Sequence, residues 1–158
     1  MKQIRADLRD LIEVQIGFDC LISESADFPV DSSVDPIENC RQRVRNDADV
    51  LILIIGGRYG HIDSSADRSV TNIEYITARA KGIPIFAFID RAVLSLLPIW
   101  TKNPTADFSP QIEDPKVFNF IREVRDEHRA WCHSFETAQD IKPALQLRLA
   151  HLVSESLA

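Results

Sequence analysis

Cysteine is scarce and odd in number: only Cys20, Cys40 and Cys132 occur in 158 residues. Three widely spaced thiols with no Cys-x-x-Cys pair argue against a disulfide framework. The four histidines, His61, His128, His133 and His151, are scattered, whereas a zinc site needs convergent ligands. Long apolar runs are also missing. None approaches the roughly 20 residues that span a bilayer, and no basic segment followed by an apolar one opens the chain as a secretory signal would. Positive charge is in deficit: 18 Lys and Arg stand against 24 Asp and Glu, a net charge of −6. That balance lacks the footprint of a general nucleic-acid binder, although it leaves room for a local phosphate pocket. No Walker motif, nucleophile elbow or Ser-His-Asp arrangement is visible. These absences lead to the expectation of a cytoplasmic domain with no membrane span and no metal.

What is present is ordinary for a globular protein, with 45% hydrophobic and 27% charged residues. The length fits one domain, residues 1–158, able to fold without metal or disulfide. Ile4, Leu8, Leu11, Ile12 and Ile16 recur at helical spacing and Gly17 closes that helix. Phe18 to Ile22 reads as a short strand, and Ser23 to Val34 as a loop. Asp35-Pro36 opens a second helix with an N-cap and a proline at its first position, with Ile37, Cys40 and Val44 inward. Val50 to Ile55 is wholly apolar, the pattern of a strand buried on both faces of a parallel sheet. Thr71 to Lys81 is a third helix and Pro84 to Ile89 a second apolar strand. Residues 91–112 contain three prolines and no clean period, so they read as a long loop with a short helix at Val93–Leu97. A helix after Asp114-Pro115, a strand at Ala130–Phe135 and a last helix through Ile141, Leu145, Leu149 and Leu152 complete the chain.

Strict alternation implies an α/β, Rossmann-like fold: a three-layer parallel sheet with helices on both faces. Such a sheet begins with a strand, central in doubly wound folds, and this sequence begins inside a helix. Either the first strand is absent from this sequence, as expected here, or the start is misassigned, or another segment fills its place. Val50–Ile55 and Pro84–Ile89 are expected to be adjacent and buried. The edge left open predicts self-association.

Ligands of parallel sheets bind beyond the carboxyl ends of the strands. Four loops meet that rule: Ser23-Glu24-Ser25, Gly56-Gly57-Arg58-Tyr59-Gly60, Asp90-Arg91 and the turn after Phe135. Two glycines after a buried strand let another group approach the backbone closely. Arg58 offers a planar cation and Tyr59 a ring with a hydroxyl, suited to a phosphate or carboxylate plus a ring. The same residues also fit a tight turn in which Arg58 pairs with an acid and Tyr59 packs. Glu74 lies at the start of the next helix. It is either the last member of a capping box, Thr71-Asn72-Ile73-Glu74, or a carboxylate able to attack or stabilise an anomeric carbon. Asp90 and Glu24 at strand ends are candidates for orienting a ribose. Trp100, Trp131 and Cys132 read as packing residues.

The stretch Asp49 to Gly60, then Ser69-Val70-Thr71-Asn72-Ile73-Glu74-Tyr75, then Ala78 and Gly82-Ile83-Pro84, resembles a bacterial family of TIR-like domains of unknown function, DUF4062. Ser23-Glu24, Pro29 and Pro36-Ile37-Glu38-Asn39-Cys40 resemble its second strand and helix. Those domains usually stand before a STAND-type NTPase, NACHT or repeat region, which implies such partner domains in a parent protein. The family's opening strand with its Ser-Ser-Thr turn is not seen in this sequence. Its superfamily is similar in fold to TIR domains and nucleoside 2-deoxyribosyltransferases, in which a glutamate on the helix after the central strand acts in breaking an N-glycosidic bond. Glu74 stands at the matching place. The resemblance implies a signalling or interaction domain with a pocket for NAD or another nucleotide, formed by Gly56, Gly57, Arg58, Tyr59, Gly60, Ser69, Glu24 and Asp90. The alternative it implies is an N-glycosidic-bond-cleaving enzyme with Glu74 as its catalytic carboxylate.

Overall fold

The structure, a computed structural model, describes residues 2–22, 30–63 and 65–158. Helix α1 covers Lys2–Asp10 and continues as a π-helical turn over Leu11–Ile16, burying Leu8, Leu11 and Ile12. Gly17 closes it at φ 83°, with its own N–H and that of Phe18 both donating to the Ile12 carbonyl. A side chain would be strained at that angle, so the helix stops there. Helix α2, Pro36–Asp47, is capped by Asp35, whose carboxylate accepts from the N–H groups of Ile37 and Glu38.

Strand β1 is Leu51–Ile55. A small antiparallel pair follows, β2 (Ile62–Asp63) with β3 (Arg68–Ser69), which the sequence reading did not anticipate. Then come α3 (Val70–Lys81), β4 (Ile85–Asp90) and α4 (Arg91–Lys102). The chain ends with α5 (Lys116–Arg122), extended by a π turn over Glu123–Glu127, then β5 (Cys132–Phe135) and α6 (Ala138–Leu157).

The strands β1, β4 and β5 form a parallel sheet in that order, with Leu51 opposite Ile85 and Ala87 opposite Cys132. One face carries Leu53, Ile55, Ala87 and Ile89 against Tyr75 of α3, Val93, Leu97 and Trp100 of α4, and Phe118 and Ile121 of α5. The other carries Phe86, Phe88 and Phe135 against Leu8 and Ile12 and against Ile141, Leu145 and Leu149 of α6. Helices therefore cover both faces, and the fold is the expected α/β, Rossmann-like arrangement. Trp100 stacks on Phe118 at 5.2 Å, and Trp131 meets Phe86 and Phe88 edge-on, so both tryptophans pack as expected.

Four expectations need correction. Phe18–Ile22 forms no strand: a strand is held by a neighbour's backbone, and among the described residues no strand pairs with this segment. The pair β1–β4 is adjacent and parallel as expected, but only β4 is interior. Among the described residues strand β1 has one partner and lies at an edge, with Leu51, Ile52 and Ile54 only half-buried. Residues 91–102 are not a loop. Asp90 caps α4 by accepting the Ala92 N–H at 2.8 Å, and Val93, Leu97 and Trp100 form its buried stripe despite Pro98. Finally, α3 starts at Val70, capped by Ser69, whose hydroxyl accepts the Asn72 N–H at 3.2 Å. The capping box Thr71–Glu74 does not form.

Candidate functional site

The loop after β1 is built by its glycines, and what approaches them is the chain itself. A Cβ on Gly57 would collide with the carbonyl oxygen of Gln111, and the Glu113 N–H donates to the Gly57 carbonyl at 2.9 Å. Gly56 is buried, and Gly60 bends the loop at φ 89°. Arg58 projects into solvent with its side chain 86% exposed, 3.9 Å from the exposed Glu113 carboxylate. At that distance and exposure the pair contributes little.

Tyr59 turns the other way. It is 7% exposed, its ring meets Phe120 edge-on, and its hydroxyl accepts from the Asn72 side-chain amide at 3.4 Å. Asn72, itself buried, accepts from the Arg68 guanidinium at 2.9 Å, and Arg68 reaches both oxygens of Glu123 at 3.1 and 3.0 Å. Tyr59, Arg68, Asn72 and Glu123 thus form one polar network that ties the loop and the β2–β3 pair to the end of α5. Sequence reasoning missed Arg68, Asn72 and Glu123. The four-residue interval between Arg68 and Asn72 was the available signal; the third partner lies 51 residues further along.

Glu74 occupies a different place. It lies in the second turn of α3 and, with Thr71, lines a groove of about 980 Å³ that runs along the open edge of β1. The other walls come from α1, the segment 18–22, α2 and α6. No residue of Gly56–Gly60 lines it. The structure therefore separates residues that the sequence suggested as one pocket. Ser69 is fully buried as a helix cap, Asp90 caps α4, and Glu24 lies outside the described residues.

Cys40 of α2 faces the same groove. Burial, and secondly the negative charge of Glu74, push its thiol up to about 11. It stays protonated at neutral pH, so it is not an activated nucleophile. On the core side of α3, Tyr75 is fully buried and its hydroxyl lies 2.9 Å from Nδ1 of His128. Among the described residues, no group of three or more His, Cys, Asp or Glu could hold a metal ion. No helix among them is long and apolar enough to cross a membrane.

The groove thus offers the carboxylates of Asp19, Asp47, Asp49 and Glu74, the guanidinium groups of Arg5 and Arg43 and the hydroxyl of Thr71 among largely apolar walls, with the exposed Arg58 guanidinium on the neighbouring loop. No curated protein and no solved structure matches the chain. A family model for a domain of unknown function (DUF4062) matches residues 1–150, so the chain belongs to that family.

Proposed function

We propose that the chain is a signalling or interaction domain that binds a nucleotide at the Glu74 end of the groove. The observation that carries this reading is the position of Glu74. Ser69 holds the helix cap, and Glu74 is instead presented to a groove beside Thr71. A carboxylate accepts hydrogen bonds from a ribose diol, as acids do at the carboxyl ends of parallel strands. Apolar walls suit a base. Arg58, exposed and weakly paired, is the cation for a phosphate or pyrophosphate. The family resemblance points to NAD or a related nucleotide as ligand and to a regulatory NTPase, NACHT or repeat region as neighbouring domain. It also supports TIR-like signalling as the wider role.

A second reading, cleavage of an N-glycosidic bond, draws on the same carboxylate. Glu74 would attack or stabilise C1′ of the ribose while the base departs with a proton, and water would then take the sugar. Calorimetry with NAD, ADP-ribose and nucleosides, followed by chromatography for released base, separates the two. The binding reading expects saturable affinity for a nucleotide, weakened at least tenfold by Glu74→Gln and by Arg58→Ala, with no base released. The enzyme reading expects release that Glu74→Gln reduces by orders of magnitude. Absence of binding to every nucleotide tested removes both.

A further inference from the structure

We infer that the cleft between α3 and the π turn at the end of α5 is a binding site for a carboxylate carried on a short apolar stem. The cleft has a volume of about 520 Å³ and is lined by Ile76, Arg79, Ala80, Glu123 and His128. None of these residues lines the groove beside β1, so the site stands apart from the nucleotide reading.

The π turn builds one wall. The His128 N–H donates to the Glu123 carbonyl at 2.9 Å, the wide closure of a π turn. It sets Glu123 and His128 on one wall of the cleft, and such turns recur at functional sites. The tautomer of His128 follows from its neighbour. The Tyr75 hydroxyl is fully buried, lies 2.9 Å from Nδ1 and has no other partner among the described residues. A buried O–H without an acceptor is costly. Burial also raises the phenol, so it keeps its proton and donates to Nδ1. The neutral imidazole then carries its own proton on Nε2. Nδ1 is taken up on the core side, and the ring meets the cleft with its Nε2–H.

The charges select the ligand. Arg79 is exposed in the last turn of α3, with no ion pair and no side-chain hydrogen bond among the described residues. It is not needed as a helix cap, because the Gly82 and Ile83 N–H groups close on the carbonyls of Ala78 and Arg79. Glu123 is already engaged. Its two oxygens accept from Arg68 at 3.1 and 3.0 Å, and one accepts from Asn72 at 3.4 Å. With Glu123 balanced by Arg68, the cleft holds one uncompensated cation and one neutral N–H donor. That set fits a monoanion with two oxygens in a plane, one for the Arg79 fork and one for Nε2–H. A phosphate dianion would bring a second negative charge towards Glu123, with no further cation to meet it. Ile76 and Ala80 supply apolar surface for the carbon beside the carboxylate.

The probe is isovalerate, titrated into the whole chain and followed through the imidazole nitrogen and proton signals of His128. Saturable shifts are expected. Isovaleramide, the same stem without the charge, should give none, and inorganic phosphate should bind more weakly. Arg79→Ala should weaken isovalerate binding about tenfold or more, the scale of one charge-assisted hydrogen bond. The wild-type nitrogen shifts read the tautomer, and Tyr75→Phe should lose the Nε2–H preference and bind isovalerate less well. Arg79→Ala, an exposed change, covers the case in which Tyr75→Phe fails to fold. Acetyl-Gly-Gly-Leu with a free carboxylate distinguishes the sources: binding tighter than isovalerate assigns a chain terminus, weaker binding a small acid. Absence of saturable shifts, wild-type affinity in Arg79→Ala, equal binding of isovaleramide or phosphate, or a His128 proton on Nδ1 overturns the proposal. Glu74→Gln and Arg58→Ala should leave isovalerate binding unchanged. A loss there would place the carboxylate at the nucleotide site and overturn it too, whereas failure of nucleotide binding alone leaves this site standing.

Discussion

Gly57 shows how one residue can look like a ligand contact and serve the chain itself. The space a Cβ would need is filled by the Gln111 carbonyl, and the Glu113 N–H closes on the Gly57 carbonyl beside it. Gly57→Ala should force segment 111–113 away and cost about 2 kcal/mol, the scale of an overpacked site. Urea denaturation measures it. If Gly57 serves packing alone, nucleotide affinity should change less in Gly57→Ala than in Arg58→Ala, whose exposed side chain should in turn leave stability unmoved. Ser69 and Glu74 exchange roles in a similar way. The hydroxyl of Ser69 is fully buried and accepts the Asn72 N–H, so Ser69→Ala should cost about 1 kcal/mol or somewhat more. Glu74→Gln should leave the helix start intact. An equal loss of stability in both variants would return Glu74 to a capping role.

At the scale of elements, what could be read from the sequence was whatever its own periodicity settles. Six apolar residues at Val50–Ile55, an Asp-Pro start at Asp35, and glycines at 17 and 82 in left-handed caps each carry a local cause. Legibility failed where a distant partner decides. Pro98 made residues 91–102 look like loop, yet the stripe Val93–Leu97–Trp100 has a core to enter and Asp90 to start it. Phe18–Ile22 reads as a strand in the sequence and, among the described residues, has no strand to pair with. The candidate site was only half readable, because Arg58 and Glu74 follow one strand in sequence while only Glu74 reaches the groove. Helix α4 supplies a test at this scale. Asp90→Ala should lower stability by about 1 kcal/mol and Asp90→Asn by much less, because Asn also accepts at an N-cap. Identical losses in thermal melts would mean that the carboxylate charge, and not the cap, is what counts.

Over the whole molecule the ionisable groups set a window of stability. On the acid side, Asp140 accepts the N–H groups of Glu136 and Thr137, and Asp31, Asp63 and Asp107 each bond a serine two residues on. Those bonds hold all four carboxyls below their ordinary value of 3.8. Their contribution is complete above the unfolded value and lost as pH falls through the lower folded one, so acid unfolding should set in below about pH 4. On the alkaline side the sign reverses. Burial raises the thiols of Cys40 and Cys132 and the phenol of Tyr75, Cys40 up to about 11 from 9.0. Between those two values the unfolded chain ionises Cys40 and the folded chain does not, so stability should decline from about pH 9 towards pH 11. Thermal melts across pH 3 to 11 should therefore show a plateau with both shoulders, and Cys40→Ala should shallow the alkaline one. Because the charge of Glu74 supplies part of the rise, Glu74→Gln should bring the Cys40 titration down. The pH dependence of iodoacetamide alkylation at Cys40 reads that shift. A profile identical in Glu74→Gln would mean that the carboxylate does not face the groove as a charge, and the nucleotide reading would lose its ribose acceptor along with it.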